Sequence, residues 1–224
     1  MELDALIFDV DGTLAETEEL HRRAFNAAFA EAGLGWLWSV GAYRDLLRTT
    51  GGKERIAVHA ASIGLPLATQ DIAALHARKT AIYADLVARG DLRPRPGVRA
   101  LIALARSAGM KLGIATTTSP ANVETLCRAV WAREVAEVFD AVAAGDAVAR
   151  KKPDPSVYLL CLEHLGVSPD RALAFEDSAN GLRAARAAGL RCVVTPAIYT
   201  EGEDFDCAEA VLPSLESFRL QVTD

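Results

Sequence analysis

Short apolar segments alternate with helical patterns in the second half of this 224-residue chain. The segments of strand length are 111–115, 140–143, 172–175 and 192–194. Parallel strands need a crossover connection, usually a helix, so this alternation predicts a parallel sheet with helices on both faces. A similar segment at residues 4–9 brings the number of predicted strands to about five.

Residues 16–93 differ, because they show helical patterns and no convincing strand. Helices are predicted at about 18–32, 41–48, 53–63 and 70–89. The segment RPRPG at residues 93–97 marks the return to the first pattern. We therefore predict an α/β fold, with a Rossmann-like doubly wound parallel sheet core of residues 1–15 and 94–224 and an inserted α-helical cap domain of residues 16–93. The cap would cover the carboxyl ends of the strands, where open α/β sheets bind ligands.

Composition and charge exclude several classes of partner. The net charge of -6 gives no electrostatic reason to expect nucleic acid or an anionic membrane. No apolar run has the length needed to span a bilayer. Glu2 and Asp4 stand where a signal peptide would carry positive charge, so we expect a cytoplasmic protein. The expected partner is a small molecule, and the chain is expected to be a monomer.

The four cysteines are scattered along the chain. Cys127, Cys161, Cys192 and Cys207 lack the close pairs of a zinc site or a redox motif. Since each lies in an apolar context, we expect reduced thiols in the core.

The first predicted strand ends in two aspartates, within the segment ALIFDVDGTL of residues 5–14. Side chains at i and i+2 project to the same side of an extended chain, so Asp9 and Asp11 would emerge together. Two neighbouring carboxylates need a cation or a proton to offset their repulsion. A plain turn is the alternative, since Asp-Gly is a common turn signal. A calcium loop starting at Asp9 fails, because Leu20 stands where its twelfth position needs an oxygen ligand.

Polar groups also follow three of the other predicted strands. Hydroxyls at residues 116–119 could hold phosphate oxygens, and Lys151 and Lys152 could supply an ammonium group. Glu176 and Asp177 offer further oxygen ligands for a cation. Each group alone fits a turn, a solvated charge or a helix start. Because the carboxyl ends of parallel strands meet at one edge of a sheet, their joint occurrence favours one phosphate-handling site.

These segments resemble the four ordered motifs of the haloacid dehalogenase superfamily. The matching segments are DVDGT at 9–13, Thr116, Lys152 with Pro153, and EDSANG at 176–181. The segment GLRAARAAG at 181–189 resembles the superfamily's helix after the fourth strand, and the helical insertion resembles its first class of cap.

The resemblance implies a phosphatase that works through an aspartyl-phosphate. Asp9 would be the nucleophile, and Asp11 would be the general acid that protonates the leaving alcohol and then activates water. Mg²⁺ would be bound by Asp9, the backbone carbonyl of Asp11 and Asp177, with Glu176 helping through water or from outside the coordination sphere. Superfamily members that remove halide lack the second aspartate and need no magnesium, so Asp11 argues against that activity.

The same resemblance assigns the remaining core residues. Thr116 and Lys152 would hold and neutralise the transferring phosphoryl group. Lys151 fits this role less well, because the motif places its lysine directly before proline.

The substrate should be decided by the cap, which collects basic residues in an otherwise acidic chain. The segment GGK at 51–53 is not a nucleotide P-loop, because Leu47 replaces the required first glycine. It could bind an anion through backbone N–H groups and Lys53, or it could be a helix start with solvated charges. We interpret the basic residues as a site for a second phosphate, away from the reaction centre.

Segments of the cap resemble the CbbY subgroup, the Calvin-cycle-associated sugar-phosphate phosphatases. The matching segments are TEELHRRAF at 17–25 and TGGKERI at 50–56, together with ATTTS at 115–119. The resemblance implies hydrolysis of xylulose-1,5-bisphosphate, an inhibitor of Rubisco, to xylulose-5-phosphate and phosphate. The implied substrate-binding residues are Glu18, His21, Arg44, Gly52, Lys53, Arg55, His76, Lys79, Thr117, Thr118 and Asn122.

Three alternatives stay open on the sequence. A β-phosphoglucomutase-like phosphomutase would share the motifs but return the phosphoryl group to a sugar. A generalist phosphomonoester phosphatase would catalyse the same hydrolysis without a preference for xylulose-1,5-bisphosphate. A non-catalytic metabolite-binding protein is disfavoured by the full set of reactive residues.

Overall fold

One parallel sheet of six strands runs through residues 3–221, the part of the chain that this computed structural model describes. The strands are β1 (Ala5–Phe8), β2 (Lys111–Thr116), β3 (Ala141–Ala144), β4 (Ala172–Glu176), β5 (Arg191–Val194) and β6 (Ala210–Val211). Their order is β3-β2-β1-β4-β5-β6, so β1 lies at the centre. This order confirms the predicted doubly wound α/β class. Glu2, used above to predict the location, lies outside the described residues.

The helices of residues 3–221 fall into two groups. Four lie between β1 and β2 in the inserted segment: α1 (Glu18–Glu31), α2 (Val40–Leu46), α3 (Gly52–Ser62) and α4 (Thr69–Leu86), the last followed by a π-helical turn (Val87–Asp91). The others flank the sheet: α5 (Val98–Ser107), α6 (Pro120–Trp131), α7 (Val135–Val138), α8 (Ser156–Leu165) and α9 (Ala179–Ala187). Among these helices, none is both long and apolar enough to cross a lipid bilayer.

Alternating side chains of the central strand fill two separate cores. Leu6 and Phe8 face the core shared with α5 and α6, whereas Ala5 and Ile7 face the core shared with α8 and α9. All four are fully buried. Burying a large apolar side chain stabilises the fold by about 1.5–3 kcal/mol, so both faces of the sheet stabilise the position of β1 and of the residues that follow it.

Gly113 in β2 lets α8 pack closely against the sheet. A Cβ at this position would lie 2.6 Å from the Cys161 Sγ and 3.0 Å from the Leu165 Cδ1. Ala184 and Ala185 are fully buried, and these small residues let α9 pack closely against β4 and β5 on the same face of the sheet as α8.

The inserted helices have an aromatic core of their own. Phe25, Phe29, Trp38 and Tyr43 pack together and are almost fully buried. Tyr199, from the connection between β5 and β6, joins this cluster. The connection between β5 and β6 therefore contributes a side chain to the packing of the inserted helices.

Two expectations need correction. β6 was not predicted, because a strand of two residues is too short to show a periodic pattern. Cys207 is exposed, although Cys127, Cys161 and Cys192 are buried as expected. The expected apolar context was wrong for Cys207, because Asp206 and Glu209 are close neighbours in sequence and the residue lies in a connection at the protein surface.

Candidate active site

Asp9 lies directly after β1, at the carboxyl edge of the sheet. Its backbone N–H donates to the Phe175 carbonyl at 3.0 Å, which extends the pairing of β1 with β4 by one residue. Its side chain is buried and accepts a hydrogen bond from the Lys152 ammonium group at 2.6 Å. The Lys152 Nζ also donates to the Glu176 Oε1 at 2.6 Å. The lysine therefore binds Asp9 to the end of β4.

Three carboxylates converge beside this lysine. One oxygen from each of Asp9, Glu176 and Asp177 lies within 4.8 Å of the others. Glu176 is also held by the Tyr158 hydroxyl at 2.6 Å, and Asp177 accepts from the Thr200 hydroxyl at 3.2 Å. Three buried carboxylates and one lysine leave excess negative charge, which a divalent cation would balance. Oxygen donors of this kind suit a hard cation such as Mg²⁺.

The electrostatics of the cluster agree with a need for positive charge. Burial raises the pKa of Asp9 to about 7, with Glu176 adding to the rise and Lys152 opposing it. Burial, together with the charges of Asp9 and Glu176, raises the pKa of Asp177 well above its usual range. A bound cation would favour the ionised form of both groups.

Asp11 points away from this cluster and toward the cap. The Thr17 hydroxyl donates to its Oδ1 at 2.5 Å, and the His21 Nε2 lies 2.9 Å from the same oxygen. Lys79 places its Nζ 2.7 Å from the His21 Nδ1. An ammonium group can only donate, so Nδ1 accepts and Nε2–H donates to Asp11. Although burial opposes it, the contacts from His21 and Thr17 lower the pKa of Asp11 below its usual range.

Hydroxyl and amide groups follow β2. Thr116 is buried, and its Oγ1 accepts from the Thr118 N–H at 3.3 Å. The Asn122 side-chain amide donates to the Thr118 hydroxyl at 2.8 Å, while its carbonyl oxygen is buried without a partner among the described residues. Ser119 caps α6 by accepting from the Asn122 N–H at 3.3 Å. This helix start fixes the loop and places Asn122 at the lining of the cleft.

The cap supplies the opposite wall of the cleft. The Tyr43 hydroxyl donates to Glu18 at 2.6 Å and accepts from the buried Arg55 at 3.0 Å. The Lys79 Nζ lies 4.7 Å from the centre of the Phe25 ring. Buried cations therefore face the carboxylates of the core across the cleft.

Gly52 is needed for the close approach of α3 to α4. A Cβ on Gly52 would lie 2.6 Å from the His76 Nε2. Burial, and the charges of Lys79, Lys53 and His21, lower the pKa of His76 to about 4. His76 is therefore neutral near pH 7.

Most of the residues predicted for the site line one cleft between core and cap. From the predicted set, these are Asp9, Asp11, Glu18, His21, Gly52, Arg55, His76, Lys79, Thr116, Thr117, Thr118, Asn122, Lys152 and Asp177. Arg44 and Lys53 are not brought into the cleft. Arg44 is exposed and donates to the Ile198 carbonyl at 3.0 Å, and Lys53 pairs with Asp146 at 2.5 Å. Lys151 also points elsewhere, toward the Gly145 carbonyl at 2.6 Å.

Eight further residues line the cleft that were not among the predicted site residues, although Gly51 lies in the GGK segment. They are Phe25, Leu47, Thr50, Gly51, Ser178, Asn180, Thr200 and Glu203. Ser178 and Asn180 lie inside the fourth motif and could have been proposed from it. Thr200 and Glu203 come from the connection after β5, which carries no recognisable pattern.

The inserted segment contacts the core directly in this structure. The Thr50 hydroxyl donates to the Lys152 carbonyl, and the Asn180 side chain donates to the Arg48 carbonyl at 3.1 Å. With the Lys53–Asp146 pair, these contacts join residues 48–53 to the connection between β3 and α8 and to the first turn of α9.

Comparison with known proteins places the chain in a family. Residues 3–189 match the haloacid dehalogenase-like hydrolases, and the chain belongs to that family. It is an enzyme, a phosphatase of that family.

Particular relatives are similar over nearly the whole chain. The CbbY protein of Rhodobacter capsulatus is 53% identical, over 99% of this chain and 97% of its own length. A solved structure of a CbbY variant from Rhodobacter sphaeroides, in complex with xylulose-(1,5)bisphosphate, is 52% identical, with a TM-score of 0.93 and 96% of each chain covered. A β-phosphoglucomutase from Clostridium difficile is 19% identical, with a TM-score of 0.81 over 97% of this chain and 93% of its own, and shares the fold. The family and the CbbY resemblance predicted from the motifs are confirmed.

Proposed function

We propose that this chain is a Mg²⁺-dependent phosphatase that hydrolyses xylulose-1,5-bisphosphate to xylulose-5-phosphate and phosphate. The observation that carries the proposal is the cluster of Asp9, Glu176 and Asp177 around Lys152, at the floor of a cleft with a basic wall. The similarity to a CbbY protein crystallised with this bisphosphate supports the choice of substrate.

Asp9 is the proposed nucleophile. A carboxylate oxygen of Asp9 attacks phosphorus, the ester oxygen leaves, and an aspartyl-phosphate forms. Lys152 and Thr116 then lie beside the transferring phosphoryl group and offset its negative charge. Asp9, Asp177 and the backbone carbonyl of Asp11 would hold Mg²⁺, which supplies further positive charge to the phosphoryl oxygens when bound.

Asp11 moves the protons. It gives a proton to the leaving sugar oxygen and later takes one from the water that attacks the aspartyl-phosphate. The contacts from Thr17 and His21 hold it as a carboxylate, the form that can accept a proton from water. Before it protonates the leaving group, Asp11 takes up a proton from solvent, which requires those contacts to rearrange when substrate binds, because their loss raises the pKa of Asp11. The proton that Asp11 later takes from the attacking water returns it to the protonated form.

The cap would bind the sugar and its second phosphate. Arg55 and Lys79 carry the buried positive charge of the cap wall, and Glu18 can accept from sugar hydroxyls. Thr117, Thr118 and Asn122 would contact the substrate from the core side. His76 and Gly52 would complete the site at the junction of α3 and α4. His21 would reach both the substrate and Asp11. Arg44 and Lys53 could join only after a rearrangement, since both are engaged outside the cleft.

The test is a phosphate-release assay with Mg²⁺ over mono- and bisphosphorylated pentoses and hexoses. We expect xylulose-1,5-bisphosphate to be preferred and phosphate to appear in step with its loss. Similar rates on every phosphomonoester would instead indicate a generalist phosphatase. A sugar-phosphate isomer without net phosphate would indicate a phosphomutase and contradict the proposal.

A further inference from the structure

The connection between β5 and β6 contacts the cap through its middle. We call residues 196–203 the β5 loop. The Tyr199 hydroxyl donates to the Glu19 Oε2 of α1 at 2.7 Å, and the Tyr199 ring packs edge-on against Tyr43 at 5.6 Å. Arg44 of α2 donates to the Ile198 carbonyl at 3.0 Å. Two helices of the cap therefore hold these two neighbouring residues of a core loop.

Both ends of the same loop are anchored to the core. Arg95 donates to the carbonyls of Thr195 and Pro196, at 2.6 and 2.7 Å. At the other end, the Glu203 side chain accepts from the Ala179 N–H at 2.6 Å. Because its ends are fixed, only the middle of the β5 loop can respond to a movement of the cap.

The residue after Tyr199 contacts a carboxylate of the acidic cluster. The Thr200 hydroxyl donates to the Asp177 Oδ2 at 3.2 Å and accepts from the Ala197 N–H at 2.9 Å. The same carboxylate oxygen lies against Gly12, where a Cβ would be 2.3 Å from the Asp177 Oδ2. The orientation of the Asp177 carboxylate is therefore set by Thr200 and by the lack of a side chain at Gly12.

We propose that Tyr199 is a positioning residue that couples closure of the cap to Asp177. Tyr199 and Thr200 belong to one tight turn, in which the Thr200 N–H donates to the Ala197 carbonyl at 3.1 Å. A closed cap holds Tyr199, and Tyr199 holds the Thr200 hydroxyl against the Asp177 Oδ2. When the cap opens, Tyr199 loses Glu19 and Tyr43, and Asp177 loses its fixed orientation. The inference rests on the proposed function, since Asp177 must be a ligand of the Mg²⁺.

The experiment measures Mg²⁺ binding by titration calorimetry, with no substrate present. Tyr199→Phe keeps the ring and removes the hydroxyl, and we expect it to weaken Mg²⁺ binding by about 3- to 10-fold, the range for one lost hydrogen bond. Glu19→Ala should have a similar effect, and the double variant should be no weaker than either single one. Thr200→Val should also weaken binding, whereas Thr200→Ser should restore it.

The matched control is Tyr83→Phe. Tyr83 is a buried tyrosine of the cap whose hydroxyl lacks a hydrogen-bond partner among the described residues, so its loss should leave Mg²⁺ affinity unchanged. Thermal unfolding of each variant checks the fold. Wild-type affinity in Tyr199→Phe, with weaker binding in Thr200→Val, would overturn the coupling and leave the proposed function intact. A wild-type protein that binds no Mg²⁺ would overturn the proposed function itself.

Discussion

At the scale of single residues, two aspartates with the same side-chain chemistry have different surroundings. Asp9 faces Lys152 and the acidic cluster, whereas Asp11 faces Thr17 and His21. The spacing of Asp9 and Asp11, with one residue between them, predicts that both side chains emerge together at the end of the strand. It does not predict which groups they contact. Those partners come from distant parts of the chain, and they separate the proposed tasks of attack and proton transfer.

His76 gives a prediction about stability at this scale. Its pKa of about 4 in the folded protein lies below the usual histidine pKa of about 6.5. Between these two pKa values the unfolded chain binds more protons than the folded protein, so the free energy of unfolding decreases as the pH falls. The contribution of neutral His76 to stability is therefore full above about pH 6.5 and is lost as the pH falls toward about 4. This loss should amount to about 2 kcal/mol between about pH 7 and about pH 5.

The measurement is urea unfolding of the wild type and of His76→Gln at both pH values. Between about pH 7 and about pH 5, the free energy of unfolding of the wild type should fall by about 2 kcal/mol more than that of His76→Gln. His164→Gln is the control, because His164 is exposed and should follow the wild type. An equal fall in wild type and His76→Gln would contradict the burial argument.

At the scale of elements, strands and helices with a clear hydrophobic period were predictable. The five predicted strands and the four helices of the insertion are present, with ends shifted by at most three residues. The sixth strand was not predictable, because Ala210 and Val211 pair with β5 through contacts that no local pattern shows. A strand or helix can be predicted from local sequence when its own side chains form a hydrophobic face. β6 has too few residues to form such a face.

The close packing of β2 on α8 leads to a prediction about Gly113. Gly113→Ala should lower the free energy of unfolding by about 1–3 kcal/mol, because the new methyl group would overlap the Cys161 Sγ and Leu165. Gly41→Ala is the matched control, since no heavy atom lies within 4 Å of its Cβ and it lies in α2. That variant should be neutral or more stable by up to about 1 kcal/mol. Urea unfolding checks both, and a Gly113→Ala protein as stable as the wild type would contradict the packing.

At the scale of the whole molecule, the cleft exists only where cap and core meet. The motifs predicted the core side of the cleft, since each follows a strand. The cap side was less predictable, because its orientation decides which basic residues face the cleft. Lys53 illustrates this limit, since its partner Asp146 lies 93 residues away, after β3.

The position of Lys53 gives a prediction that separates two roles. If Lys53 serves to hold the cap closed against Asp146, then Lys53→Met and Asp146→Asn should change the KM by a similar, small factor, and the double variant should add nothing. The factor should be no more than about 5-fold, because exposed ion pairs contribute about 0–1 kcal/mol. Steady-state kinetics with xylulose-1,5-bisphosphate measure it. A large effect of Lys53→Met alone would show that Lys53 binds the substrate.

The central claim is that Asp9 carries the phosphoryl group during turnover. The most direct test is mass spectrometry of the enzyme, quenched in acid while it turns over xylulose-1,5-bisphosphate with Mg²⁺. We predict that the peptide containing Asp9 gains the mass of one phosphoryl group, and that folded Asp9→Asn shows neither this adduct nor phosphate release. Phosphate release by a folded Asp9→Asn protein, or a phosphoryl group on another residue, would contradict the account.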